Sequence, residues 1–548
     1  MQTNPERLRK TPSRASLAIA AVLGALTIAL FAWLWGPAAR FAPIHDEASY
    51  LFQAKIFASG HWTADPPPLP ESFEQMYVLT RPRWASFYFP GQALVLAPGV
   101  WLNHPATGPL LILGLSATVI FLLATELAGA GVGVLTWALW STAPINPWFR
   151  PSYLSEPTSG AMALASWVSF LYWTRSRKSG WLVAFCAAVG FGLITRPVSM
   201  IALSAPFLLP FSKWVWRTPR RKGLTTALLA GATVLSILPA FAYKVTGSPT
   251  RLPYLLYLRQ HAPFIIQSVG RDRPEVTLPP DLELVRQRIS ADDEQFARLD
   301  IRTVFWLRAI EIAKDMSCGG RLWAIGRDTW MKWRLVVLPF VVVGLFFIPR
   351  GSWLGLAAAI LLFVGHLWYG HNEAWTKFYV ELQPVLSFVA AIGIAKAIAL
   401  LVRLGRNKIV TSEAAAPLLA CVACSILIVG LSLPGLMLER QDKQLEAVDH
   451  KRFWDAVSTI QAPRSIVFVK YSRSHNVDHS LIANDPDWRT ARMWVVYDRG
   501  SKNETLMARA PERLPYIYDE LSGTVWKIKR GDFSSRQAAS GNTAKVGS

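Results

Sequence analysis

The sequence predicts a mainly α, polytopic membrane helix bundle with interfacial helices and a small extracytoplasmic α/β module near its C-terminal end. Three observations predict it. The 548 residues are 52% hydrophobic, and only 17% are charged, where a soluble chain carries about a quarter; the mean hydropathy is +0.27. Apolar runs of about 18 to 24 residues recur, long enough to cross the hydrocarbon of a bilayer. Basic residues, which bring the formal net charge to +21, gather in short loops between those runs: Arg7, Arg9, Lys10 and Arg14; Arg175, Arg177 and Lys178; Lys213, Arg217, Arg220, Arg221 and Lys222; Arg403, Arg406 and Lys408. That is the positive-inside pattern. It accounts for the basic charge without nucleic acid, because no soluble module with a basic face stands out.

The first apolar run, about Ser16 to Trp35, follows a basic tail. It is long for a signal-peptide core and the chain stays hydrophobic after it, so it is expected to be an uncleaved span with a cytoplasmic N-terminus. The outer segment that follows, 36–107, contains a predicted helix over Glu47–Ser59, broken downstream by Asp65-Pro66-Pro67-Pro68. Helical spacing lines Asp46, Ser49, Tyr50 and Gln53 along one edge and turns Ala48, Phe52 and Ile56 away, to rest on the membrane surface. Further runs near 108–127, 131–148, 158–174, 181–195, 198–212, 224–243, 330–348, 352–370, 378–402 and 415–437 bring the count to about eleven spans. Alternation from a cytoplasmic N-terminus puts the loop clusters inside and the C-terminus outside, in an inner (plasma) membrane.

Residues 1–438 thus form the expected membrane domain. A second outer segment, 244–329, carries a predicted helix from about Asp292 to Met316. After Glu439, a helix and the runs Ser465–Tyr471, Arg492–Tyr497 and Tyr516–Ile528 predict the α/β module over 439–533, and the polar tail 534–548 is expected to be disordered. The four cysteines include Cys421-x-x-Cys424, but this pair has no second pair and lies in an apolar run, as Cys186 does; Cys318 lies in a loop. The three in apolar runs are read as buried helix thiols. Asp46-Glu47 and the scattered histidines lack metal-ligand spacing, so a divalent cation has no support in the sequence.

Adjacent carboxylates beside a bilayer are costly to desolvate, which draws attention to Asp46 and Glu47. In the expected topology the other outer polar groups are Glu71, Glu74, Arg81, Arg83, Arg150, Glu156, Arg196, the Tyr243–Tyr257 stretch, His371, Asn372, Glu373 and Lys377. Taken singly, each reads as an interfacial anchor or a solvated loop charge. Taken together they suit chemistry at a lipid-linked phosphate: a carboxylate removes a proton from an acceptor hydroxyl while cations stabilise the departing phosphate.

His45-Asp46-Glu47-Ala48-Ser49-Tyr50-Leu51, with Ala54 and Ser59-Gly60, resembles the first outer loop of GT-C membrane glycosyltransferases, in the bacterial branch related to the dolichyl-phosphate-mannose protein mannosyltransferases. Later stretches keep the family order: Ser72-Phe73-Glu74, Tyr88-Phe89-Pro90-Gly91, Ser155-Glu156-Pro157, Gly192-Leu193-Ile194-Thr195-Arg196-Pro197, Thr246-Gly247-Ser248-Pro249 with Pro253-Tyr254, and Lys377-Phe378-Tyr379-Val380-Glu381-Leu382-Gln383-Pro384. The resemblance covers residues 15 to 400 as a series of short motifs. It implies a transferase that moves a sugar from a polyprenyl-phosphate donor to a glycan, lipid or protein acceptor outside the cytoplasm. Asp46 occupies the position of the general base and Glu47 that of a helper, and attack opposite the phosphate inverts the anomeric centre. The candidate phosphate contacts are Arg81, Arg83, Arg150, Arg196 and Lys377; Glu74, Tyr88, Glu156 and His371 are the candidate positioning residues. The chain departs from the family at Phe87, where a lysine is common, at Phe89, where a proline is common, and at Lys377, which keeps the charge of the usual arginine but not its fork. The competing reading is a transporter or flippase of lipid-linked saccharides, which predicts ionisable groups at mid-membrane and not at span ends. A third is a relative that has lost catalysis and serves in assembly.

Overall fold

The structure, a computed structural model, describes residues 12–143, 151–217, 223–261, 278–317, 334–367, 376–404 and 415–531. Arg150, His371, Cys318 and the tail expected to be disordered lie outside the described residues. In chain order the elements begin with α1 (Arg14–Trp35), α2 (His45–Ala58), the short strands β1 (Val78–Leu79) and β2 (Ala85–Ser86), and α3 (Pro90–Trp101). There follow α4 (Thr107–Ala128), α5 (Ala130–Ser141), α6 (Glu156–Ser176), α7 (Ser179–Leu193), α8 (Pro197–Arg217), α9 (Leu224–Leu235) and α10 (Ile237–Thr246). Next are α11 (Pro253–His261), α12 (Pro280–Ala297), α13 (Ile301–Ser317), α14 (Val337–Leu345), α15 (Trp353–His366), α16 (Gln383–Leu404) and α17 (Ala415–Glu446). The chain closes with α18 (Val448–Ser458), β3 (Ser465–Lys470), β4 (Met493–Tyr497), α19 (Asn503–Arg509), β5 (Leu514–Asp519) and β6 (Thr524–Lys527).

Two compact units result, each assembled from three separated stretches. The helical unit comprises Met1–Gly36, Thr107–Ile237 and Phe296–Lys443. Helices occupy each of the apolar runs. Among the described residues six are long and apolar enough to cross a membrane, or seven if Arg334–Leu345 and Arg350–His366, bent by 111°, count as one; α5 and α7 are apolar but shorter. Close helix contacts rest on small residues, as expected where lipid supplies no hydrophobic drive between helices. A Cβ on Gly344 of α14 would lie 1.9 Å from the carbonyl oxygen of Val389, and one on Gly393 of α16 would lie 2.0 Å from that of Phe340. The buried Arg334 guanidinium donates to the carbonyls of Leu139 (2.9 Å) and Thr142 (3.0 Å) and to Thr142 Oγ1 (2.7 Å). It thereby satisfies the orphan acceptors at the C-terminal end of α5, where a cation meets the negative pole of the helix.

The second unit comprises Pro37–Ala106, Leu238–Gln295 and Gln444–Ser548. The outer loop sequences and the C-terminal strands therefore share one fold. Its sheet has the order β4-β3-β5-β6, with β3 parallel to both β4 and β5 and β6 antiparallel to β5. The run Tyr516–Ile528 is thus two strands of a hairpin, turning at Gly523 with φ +67°. Parallel strands need cover on both faces. Val467, Val469, Val495, Tyr497 and Tyr518 pack with Phe453 and Val457 of α18. On the other face Ile466, Phe468, Val496 and Ile517 pack with Leu506 and Met507 of α19 and with Phe52 and Ile56 of α2. The apolar face of α2, expected on the membrane surface, instead lies in this core with Trp84 and Phe73. The helix expected over Asp292–Met316 is broken at 298–300, where the Asp300 carboxylate accepts the amides of Arg302 (2.9 Å) and Thr303 (3.1 Å) and starts α13 as a helix cap.

Candidate active site

Asp46 lies in the first turn of α2, where a carboxylate is favoured by the helix dipole. The four residues that helical spacing lines on one edge each contact the β1–β2 hairpin and its flanks. Tyr88 donates its hydroxyl to Asp46 Oδ1 at 2.6 Å. Ser49 Oγ donates to the Tyr77 carbonyl (2.6 Å) and lies 2.8 Å from Ser86 Oγ. Tyr50 stacks on Tyr88 with centroids 4.3 Å apart. Gln53 accepts the Ser86 amide (3.0 Å) and donates to the Trp62 carbonyl (3.0 Å). The Tyr88 amide in turn donates to Ser86 Oγ (3.1 Å). Ser49, Tyr50 and Gln53 are buried, while Asp46 and Tyr88 keep partial exposure. The polar edge is a buried seam whose accessible end is the Asp46 carboxylate. Glu47 is buried beside it.

Tyr77 adopts φ +65°, a left-handed conformation uncommon for a side-chain-bearing residue. Its carbonyl accepts from Ser49, and its amide donates to the Tyr257 hydroxyl at 2.9 Å. Burial first, then the Asp46 carboxylate, raise the Tyr88 hydroxyl well above its ordinary value. Tyr88 therefore remains a proton donor to Asp46 across neutral pH.

The other candidates in this unit have different surroundings. Glu74 is buried, accepts from Thr80 Oγ1 (2.9 Å) and pairs with His261 Nε2 (3.1 Å). Arg81 pairs with Glu71 at 2.8 Å and Arg83 with Asp65 at 3.0 Å, all about half exposed. These two arginines are engaged in surface ion pairs, the kind that contributes little to stability.

In the helical unit, Arg196 at the start of α8 pairs with Glu156 at 2.7 Å, from the first turn of α6, and reaches Glu381 Oε1 at 3.4 Å. Ser159 donates to the same oxygen at 2.7 Å. Arg196 lies 5.8 Å and the Lys377 ammonium 5.5 Å from the Phe378 ring. Three expected residues, Glu156, Arg196 and Lys377, thus belong to one cluster. Glu381, which joins them, was not singled out by sequence reasoning, although the run Lys377–Pro384 containing it was. Among the described residues no group of three or more His, Cys, Asp or Glu side chains has the geometry to hold a metal.

No family model and no curated protein matches the chain. Two solved structures of ArnT from Cupriavidus metallidurans, a GT-C superfamily membrane glycosyltransferase, are similar over almost all of both chains. The apo state aligns with a TM-score of 0.53 at 14% identity, covering 90% of this chain and 92% of that one. The form bound to undecaprenyl phosphate aligns with a TM-score of 0.51 at 13% identity, covering 91% and 90%. The likeness does not single out the mannosyltransferase branch. The chain shares its fold with these two structures, a GT-C-type membrane helix fold.

Proposed function

We propose that this protein is an integral-membrane glycosyltransferase that takes a sugar from a polyprenyl-phosphate donor. The observation that carries the reading is the Asp46 carboxylate, kept partly accessible at the head of α2 and held by the Tyr88 hydroxyl at 2.6 Å. Asp46 removes the proton of an acceptor hydroxyl as its oxygen bonds to the anomeric carbon. The bond from that carbon to the phosphate breaks, its electron pair leaves with the polyprenyl phosphate, and the centre inverts. Tyr88 fixes the carboxylate, and the buried Glu47 supports the turn that carries it. The fold shared with ArnT, crystallised with undecaprenyl phosphate, favours a lipid-phosphate donor. Arg196, already bound to two carboxylates, is proposed to position its neighbours. Asp46 acts on the extracytoplasmic side in this reading, with the N-terminus in the cytoplasm.

The test compares purified wild type with Asp46→Asn for release of polyprenyl phosphate from a labelled lipid-linked sugar. Wild type is expected to release it, and the variant to lose about 100-fold or more in kcat, within the range for removal of a general base. Equal turnover by the two would sink the base assignment. Movement of the intact lipid-linked sugar across vesicles with no bond cleavage would replace the transferase by a transporter.

A further inference from the structure

The long connection from β3 to β4 reaches back to both ends of α2. The Ser480 amide donates to the Pro43 carbonyl at 2.9 Å, and Ile44 forms an antiparallel bridge with His479. His45, the residue before Asp46, approaches the Val477 carbonyl with Nε2 at 3.0 Å. At the last turn of α2, Lys55 donates to the Asn484 carbonyl at 3.5 Å. The connection is itself anchored to three other elements. Asn484 exchanges two hydrogen bonds with Val495 of β4, at 2.8 and 2.9 Å. The Ser480 carbonyl lies 2.8 Å from His450 Nε2 on α18. Arg288 of α12 pairs with Asp478 at 2.5 Å. Downstream of α2's start, the seam of Ser49 and Gln53 fixes the helix to the hairpin, and Tyr88 holds the Asp46 side chain; the strap adds contacts to the backbone that enters the first turn. His45 is buried, and a carbonyl only accepts, so its Nε2 carries the proton and donates.

We propose that residues 477–484 form a strap that sets the first turn of α2, and that His45 is the positioning residue through which the strap holds Asp46 in place. This rests on the transferase reading for its kinetic consequence, but the mechanical claim stands on the contacts alone. His45 touches no substrate in this scheme. It acts by fixing the backbone one residue before the base, where a displacement of about 1 Å costs on the order of 100-fold in rate.

The experiment uses the full chain in lipid nanodiscs and two readouts. Hydrogen exchange is measured over 41–52 and 476–484, and steady-state kinetics are measured with a labelled lipid-linked sugar. His45→Ala is expected to speed exchange about 10-fold in both segments together while leaving α16 unchanged, as local opening does. It is expected to lower kcat about 10- to 100-fold with the donor KM unchanged. His45→Gln, which keeps an N–H donor, is expected to recover most of both. Unchanged exchange in His45→Ala overturns the strap. If His45→Ala loosens the whole unit, the deciding variant adds Ile44→Cys and His479→Cys. Antiparallel partners stand about 4.5–5.5 Å apart, within disulfide reach. The oxidised lock is expected to restore local protection and kcat to His45→Ala and to lose both on reduction; a lock that forms and restores neither overturns the proposal. Wild type that cleaves no lipid-linked sugar, with exchange still dependent on His45, removes the transferase reading and keeps the strap.

Discussion

At the scale of single residues, the hydrogen bond from Tyr88 to Asp46 makes a specific demand. A bond to a charged acceptor contributes about 1.5–3 kcal/mol, so Tyr88→Phe is expected to lower kcat about 10- to 100-fold while leaving the donor KM unchanged. Initial rates across donor concentrations measure it, and an unchanged kcat would remove Tyr88 from the site. Buried histidines set a second demand. Burial lowers His45 and His450 to about 4, against about 6.5 in an unfolded chain. Asp46 and Asp478 oppose the shift at His45; His475, His479 and His45 itself add to it at His450. Below pH 6.5 the unfolded chain binds protons that the folded unit refuses, so stability is complete above that value and falls as the pH drops towards 4. The loss is on the order of a few kcal/mol for the pair. Thermal unfolding at pH 7, 5.5 and 4.5 should show a falling midpoint, with His450→Gln flattening the slope; equal midpoints would contradict it. The shared edge of Asp46, Ser49, Tyr50 and Gln53 was legible in the sequence because helical spacing reports which side chains share a face; Tyr88 entered through the family resemblance, and its contact with Asp46 is not readable from spacing. Glu381 was not, because what makes it notable is Arg196, which meets it only through the packing of separate helices.

At the scale of elements, spacing gave the helices and the strands but not their neighbours. The apolar face of α2 was visible as a face; that it meets Phe468 and Ile466 was not, since His45 and Val477 stand 432 positions apart and periodicity is blind beyond its own element. The break at 298–300 was likewise hidden in a continuous apolar rhythm, although Asp300 with Thr303 is a local capping signal. The crossing of α14 and α16 tests how helices meet here. A methyl on Gly393 would stand 2.0 Å from a backbone carbonyl that cannot rotate away, whereas one on Gly430 of α17 meets nothing within 4 Å. Gly393→Ala is expected to force the two helices apart at a cost of about 1–3 kcal/mol, seen as a lowered unfolding temperature in detergent. Gly430→Ala should leave that temperature unchanged or raise it slightly. Equal temperatures for the two variants would mean that the crossing tolerates separation.

At the scale of the whole chain, the residues expected to form a separate C-terminal module complete the unit that carries Asp46. Phe52, Ile56, Phe73, Trp84 and Leu69 are buried together with Ile466, Phe468, Trp494, Val496, Leu506, Met507 and Ile517. A fully buried side chain of this kind contributes about 1.5–3 kcal/mol. Uncovering the five from 52 to 84 therefore removes on the order of 10 kcal/mol, comparable with the whole stability of an ordinary domain. A chain ending at Glu446 is thus expected to lose the fold of its first outer loop as well as its last strands. Limited proteolysis should cut it between His61 and Pro70 faster than it cuts the full chain, and it should release no polyprenyl phosphate from a labelled donor. Wild-type turnover by the shortened chain would show that α2 finds its place without the sheet. The architecture argues against that outcome, because the sheet supplies the floor under α2 and the β3–β4 connection holds both of its ends.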